Sequence, residues 1–291
     1  MVNKTRLRSH EKASARRAGL RAQWRMVEFA DYREPSGRAL SRIAIVYGPL
    51  HSRRRGFSLG INLFPGPSIC SFNCIYCFRG GAQRHLASVE RDEAGLDPDK
   101  VIRAISYALR RLGSDAEKLR AIDFSGNGEP TLHPRFAEIV RAVREYIDSK
   151  GMGISLGLFT NSSRLCGPAV REALPYLDHV EAKPDTVVTW KFRVINQPAP
   201  GVELHDMLEC LAMLRGLFHG TVALQVILLE TDGFANYWPW DAEQLASLAE
   251  KISPDRVNLY TVYAPPRQKA VRKAPKPQME RYAAILRGHG L

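Results

Sequence analysis

The 291-residue chain is 45% hydrophobic and carries 42 Lys and Arg against 30 Asp and Glu, a formal net charge of +12. This much apolar sequence fills a substantial core without disulfide staples, and runs such as TVALQVILL are too short to cross a bilayer; a small disulfide scaffold and a helical membrane protein are both excluded. No apolar stretch of signal-peptide type follows the first basic residues, so a soluble protein of a reducing cytoplasm is expected, with its five cysteines free or metal-bound.

The charge is unevenly placed. Residues 1–55 hold 14 Lys and Arg against 4 Asp and Glu, residues 265–291 hold 7 against 1, and the stretch between is net acidic at 21 against 25. Basic ends are either solvated tails or the footprint of a polyanion, since clustered Lys and Arg neutralise phosphates and release counterions. In RSHEKASARRAGLRAQWR the arginines are interleaved with Trp24, a ring on which a base can stack.

In chain order, residues 1–45 form a basic N-terminal extension, helical or partly disordered, that closes with the turn-rich REPSGRAL. Short β-rich apolar runs then predict strands over 57–64, 121–126, 153–161, 179–183, 221–229 and 256–263. Helices are predicted over 97–112, 134–149, 168–175, 202–217, 241–251 and 277–287, with Pro98 and Pro134 suited to first turns. Six such strand-then-helix units imply an α/β fold with a parallel sheet and right-handed crossovers. They fall short of the eight of a closed barrel, which leaves a partial barrel or an open doubly wound sheet. The Pro/Lys-rich APPRQKAVRKAPKPQ reads as a linker, giving a core over 46–265 and a basic C-terminal segment over 266–291. In both architectures ligands gather at the carboxyl ends of strands, and the cysteines, GNGEPT, TNSS and KPD each follow such an end.

PSICSFNCIYCFRGG places Cys70, Cys74 and Cys77 in the spacing C-x3-C-x2-C. An odd trio does not close into disulfides, and Cys166 and Cys210 lie far along the chain in different helical units, where they are expected as core residues. Structural zinc takes four ligands, so a zinc knot would need His85 as the fourth. Three thiolates on a [4Fe–4S] cluster leave one iron open for a substrate atom, which implies catalysis.

This spacing resembles the signature of the radical S-adenosylmethionine (radical SAM) superfamily, with Cys70, Cys74 and Cys77 at the ligand positions, and the resemblance implies a partial (β/α)6 barrel. Tyr76, just before the third cysteine, matches the aromatic position near the adenine. SGNGEPTLHP resembles the superfamily's Gly-Glu segment, so Gly126, Asn127, Gly128, Glu129 and Pro130 are implied to receive the methionine amino group. The residue types agree, because glycine permits close backbone approach and a carboxylate pairs with a cationic amine. FTNSS puts Thr160, Asn161 and Ser162 where the superfamily contacts the cofactor's carboxylate or ribose. EAKPDTVVTWKFRVINQP is similar to a segment of the tRNA wyosine synthase-like branch, with Asp185 implied to bind ribose hydroxyls and Arg193, Ile195, Asn196 and Pro198 in the pattern that follows. YGPLHSRRRGFSLGINLFP resembles the stretch before that branch's first strand, and the likeness covers about residues 47–265. No cysteine precedes Cys70, so the second cluster of wyosine synthase is not expected.

The resemblance therefore implies a single-cluster enzyme that reductively cleaves S-adenosylmethionine to a 5′-deoxyadenosyl radical, served by an electron donor of flavodoxin or ferredoxin type. RNA, tRNA above all, is the expected substrate, with Arg53, Arg54 and Arg55 as candidate phosphate contacts. A protein or peptide substrate is one alternative, and a zinc-stabilised RNA-binding module without catalysis is another.

Overall fold

The structure is a computed structural model that describes residues 44–52, 54–90 and 95–291. The N-terminal extension up to residue 43, with Trp24, lies outside the described residues, and so does Arg53.

The described chain opens with an antiparallel hairpin of β1 (Val46–Ser52) and β2 (Gly56–Ile61). β1 has no strand signature in the sequence because Gly48 and Pro49 interrupt it. A small parallel pair, β3 (Ile69–Cys70) and β4 (Arg84–His85), stands apart from the main sheet. β2 then pairs in parallel with β5 (Ala121–Phe124), and β6 (Ser155–Thr160), β7 (His179–Ala182), β8 (Thr221–Glu230) and β9 (Arg256–Thr261) follow in order, all parallel. β10 (Arg272–Lys273) adds antiparallel to the end of β8. The helices are α1 (Pro98–Leu112), α2 (Phe136–Ser149), α3 (Pro168–Ala173), α4 (Thr189–Ile195), α5 (Leu204–Leu217), α6 (Pro239–Ile252) and α7 (Lys276–Gly288). Six parallel strands in sequential order with helical crossovers make the expected partial (β/α)6 barrel. The seven-residue α4 went unpredicted: it is too short for a periodic signal, and Thr189, Val194 and Ile195 are weak helix formers. α2 begins at Phe136 rather than at Pro134, because a 3-10 turn over Pro130–Leu132 occupies the chain just before it.

Alternation along the strands divides the sheet into two faces. Ile122 and Phe124 of β5, Leu156 and Leu158 of β6 and Val180 of β7 belong to the main apolar core, where Phe124 meets Phe136 of α2 edge to face at 5.7 Å. The opposite face is polar. Arg55, from the hairpin tip, donates from Nε to Asp123 Oδ1 at 2.9 Å and from Nη2 to Ser155 Oγ at 3.1 Å. Gly157 makes room for this pair, since a Cβ there would lie 2.2 Å from Asp123 Oδ1. Arg54 donates to Glu181 Oε1 at 2.5 Å, and Gln225 Nε2 donates to the same oxygen at 2.9 Å. Burial would lift the Glu181 carboxyl, but His179 and Arg54 outweigh it and hold it below the usual range. Arg54 and Arg55 were expected as phosphate contacts; both guanidiniums instead turn inward to neutralise buried carboxylates. Adjacency in sequence did not reveal the acids that the barrel brings to them.

The Pro/Lys-rich stretch is not a linker. Val271 and Ala274 are buried, Arg272 pairs with Glu230 at 3.1 Å and Asp232 at 2.6 Å, and Tyr282 and Leu286 of α7 enter the main core. Cys166 and Cys210, expected as unpaired core residues, form a disulfide across 44 residues of chain. The crossover from β6 to β7 and α5 meet there, an adjacency that sequence distance conceals. No helix among the described residues is long and apolar enough to cross a membrane.

His133 follows the 3-10 turn and is buried, with Nδ1 accepting from Arg135 N at 3.2 Å and Nε2 without a partner. Burial, helped by the Arg135 charge, lowers its pKa from 6.5 to about 4. The unfolded chain therefore takes up a proton in this window that the folded state refuses, so stability is full above the upper value and falls as pH drops toward the lower. In urea titrations across this window, the wild type is expected to lose stability faster than His133→Asn by about 1.4 kcal/mol per pH unit. Parallel pH dependences for the two proteins would exclude it.

Candidate active site

The cysteine loop leaves β2 at the carboxyl end of the sheet and is held from two sides. On one side, Asn73 N and Ile75 N donate to Asn196 O and Ile195 O, both at 2.9 Å, fastening the loop to the end of α4. On the other, Arg267 donates to Asn73 O at 2.7 Å and to Cys74 O at 3.2 Å, while Gln268 N donates to Ile75 O at 2.9 Å. Gly81 is required here, because its φ is +93° and a Cβ would lie 2.4 Å from Asn73 Oδ1 and 2.6 Å from Arg267 Cδ.

Cys70, Cys74 and Cys77 all line one cavity of about 300 Å³. Asn161 Nδ2 lies 3.6 Å from Cys70 Sγ, and Asn196 Nδ2 lies 3.6 Å from Cys74 Sγ, so each of these sulfurs has an amide donor. Burial pushes the Cys70 thiol up and the Cys74 thiol to about 11, so the charged thiolates need a cationic partner. His85 stands opposite Cys70 in the β3–β4 pair, but among the described residues no three His, Cys, Asp or Glu side chains converge on a single-ion position. Three sulfurs lining one cavity match a cluster held by three thiolates, whereas structural zinc needs a fourth ligand.

The facing wall is the segment after β5. Gly126 and Gly128 have φ of +119° and +111°, and a Cβ on Gly128 would lie 1.9 Å from Ile69 O. Glu129 is buried and lines the cavity. Its Oε1 accepts from Thr131 Oγ1 and Thr160 Oγ1, both at 2.7 Å, and its Oε2 accepts from Asn161 N at 2.6 Å. Burial raises its carboxyl against the pull of these bonds. Gly126, Gly128, Glu129, Thr160 and Asn161 share the cavity with the thiols. Asn127, Pro130 and Ser162 do not line it. Asn127 Nδ2 ties back to Phe64 O at 3.2 Å and Gly66 O at 3.1 Å, Pro130 begins the 3-10 turn, and the Ser162 hydroxyl is buried without a partner.

Asp185 lines the same cavity and is held in a network of its own. Its side chain has 0% exposure and takes Lys183 Nζ at 2.9 Å on both oxygens, Asn196 Nδ2 at 2.7 Å, Ile227 N at 3.3 Å and the Tyr76 hydroxyl. Tyr76 also accepts from Lys183, whose Nζ lies 4.1 Å from its ring centre. Burial alone would discharge Lys183, but the Asp185 carboxylate more than offsets this and holds the amine above its usual range. Asp185 thus orients its neighbours. Lys183, Arg267 and Tyr260, whose ring centre lies 5.6 Å from Lys183 Nζ, were missed in the sequence. Only Lys183 had a signal there: period-two alternation through β7 puts it on the face of Glu181. A second cavity of about 740 Å³ shares Tyr76, Cys77, Phe78 and Lys183 with the first and runs along β8 and β9 to Met279 of α7.

No family model matches the chain. Over 218 residues it is 31% identical to a UPF0026 protein of Synechocystis sp., covering 74% of each chain. Among solved structures, a radical SAM methyltransferase from Sphaerobacter thermophilus matches with a TM-score of 0.60 at 18% identity, over 84% of this chain and 67% of that one. Archaeal TYW1 matches with a TM-score of 0.50 at 13% identity, over 82% and 73%. The partial barrel has the fold of these solved structures. The chain belongs to the UPF0026 protein family.

Arg267→Ala removes two charge-assisted bonds to the backbone around Cys74. Amide exchange of residues 73–77 in the cluster-free protein is expected to speed about tenfold, the equivalent of roughly 1.5 kcal/mol. Unchanged exchange there would show that the α4 side alone holds the loop.

Proposed function

We propose that the chain is a single-cluster radical SAM enzyme acting on RNA, with tRNA the first candidate. The observation that carries the catalytic part is the three thiols on one cavity wall, faced by Gly126, Gly128 and Glu129 at the carboxyl ends of the parallel strands. In this reading Cys70, Cys74 and Cys77 hold a [4Fe–4S] cluster, which when bound supplies the electron that splits S-adenosylmethionine to methionine and a 5′-deoxyadenosyl radical. Asn161 and Asn196 donate to the sulfurs of Cys70 and Cys74 and disperse thiolate charge. Gly126 and Gly128 let backbone approach the methionine end of the cofactor, where Glu129 offers negative charge to its amine. Lys183 and Asp185 fix Tyr76 beside the thiols.

The RNA part is supported by the basic ends and the resemblance to the wyosine synthase-like branch. An electron donor of flavodoxin or ferredoxin type and a cytoplasmic location belong to the same proposal.

Replacing Cys70, Cys74 or Cys77 with Ala is expected to abolish iron loading, whereas Cys166→Ala and Cys210→Ala leave it intact; full iron content in any of the first three would refute the ligand set. Glu129→Ala is expected to weaken S-adenosylmethionine binding about tenfold, a loss of roughly 1.4 kcal/mol, without changing iron content. For the substrate, mass analysis of tRNA nucleosides from a deletion strain should reveal one missing modification, and an unaltered nucleoside profile would turn the search to proteins.

A further inference from the structure

Two aromatic rings stand exposed where the thiol-lined cavity opens into the larger one. Phe78, the residue after Cys77, is 56% exposed, and Tyr263, just beyond β9, is 79% exposed. Their ring centres are 6.1 Å apart at 48°, and both rings line the larger cavity. Water gains nothing from such surface, so rings left bare at a cavity rim mark a contact site. Between the rim and the first cavity lies Arg79, whose guanidinium carbon is 5.2 Å from the Phe78 ring centre and 5.8 Å from that of Tyr47. Arg54, Arg55 and Arg272 are each paired with a carboxylate. Arg79 is exposed, and among the described residues it makes ring contacts only, so its charge remains available to an incoming anion.

Two π-faces beside an unneutralised guanidinium recognise a ligand that is flat at one end and anionic at the other. A nucleotide has that form, and a cavity of about 740 Å³ behind the rim has room for its base and sugar. An acidic peptide would also meet Arg79 but would leave the two rings without a planar partner. We infer that Phe78, Tyr263 and Arg79 form a clamp for one unstacked nucleotide of RNA, the base stacked on the rings and a phosphate on Arg79. The clamp delivers that nucleotide from the rim to the cavity beside the thiols. This inference rests on the RNA reading above and specifies how that substrate enters.

The test uses the full chain with its cluster reconstituted without oxygen, and a single-stranded 12-nucleotide RNA carrying one 2-aminopurine. The wild type should quench the probe on binding, as stacking requires. Phe78→Ala and Tyr263→Ala should each weaken affinity about tenfold and reduce the quench, while Tyr263→Phe, which keeps the ring, should retain both. Arg79→Ala should flatten the log-log salt dependence by about 0.7, one phosphate on a single strand. Thermal midpoints matching the wild type would confirm that these exposed substitutions fold. If the wild type binds the probe and all the variants bind it with the same affinity, quench and salt slope, the clamp is overturned while the RNA reading stands. No binding of the probe or of bulk tRNA by the cluster-loaded wild type would remove the RNA reading and the clamp with it, and tight binding of poly-glutamate instead would assign the rim to an acidic protein.

Discussion

The carboxylate of Asp185 is the point at which separate pieces of the chain are made into one site. It accepts bonds from Lys183 at the end of β7, Tyr76 in the cysteine loop, Asn196 after α4 and the backbone of Ile227 in β8. A charge with no exposed surface is stable only when its partners satisfy it fully, and these four groups do so only when the loop, both strands and the helix are all in place. The carboxylate is therefore a check on assembly. Its position also decides that of Asn196, whose amide then reaches Cys74 Sγ at 3.6 Å.

Glu129 does the corresponding work on the opposite side. It is buried as well, and it binds Asn161 N at 2.6 Å, while the side chain of the same asparagine reaches Cys70 Sγ at 3.6 Å. Two buried carboxylates thus each place an asparagine beside a thiol, without touching the sulfur themselves. The cost of burying two negative charges close to three thiols is met differently at each: hydroxyl and backbone donors surround Glu129, whereas a lysine ammonium joins the donors around Asp185. The Lys183 cation also draws the Cys74 thiol down against the effect of its burial.

Charge is layered along the interior of the barrel. Below the site, Arg54 and Arg55 reach in from the hairpin tip and neutralise Glu181 and Asp123. This polar packing fills the space that a closed barrel would fill with branched apolar side chains, and it leaves the mouth as the open end. At the rim, Arg79 has no such fixed role: it lies over aromatic rings in place of an acid. The same residue type therefore serves as structural packing at one end of the sheet and as an available charge at the other.

Local pattern was enough to find the six parallel strands and every helix but the short α4, because apolar residues at period two or at helical spacing are dictated by which face each element must bury. It was also enough to gather the cysteines, the Gly-Glu segment and Asn161 at one end, since parallel strands point their carboxyl ends the same way. What each polar side chain does there was decided by tertiary structure alone. Arg55 looked like a surface arginine because Asp123, its partner, lies 68 residues away. Asp185 looked available because Tyr76, 109 residues earlier, takes one of its oxygens. Arg267 sat in a stretch that read as a linker, yet it grips the loop around Cys74 across 193 residues. A sequence pattern encodes which face of an element is buried, whereas a buried charge takes its role from the partner that satisfies it, and only the folded chain brings that partner within reach.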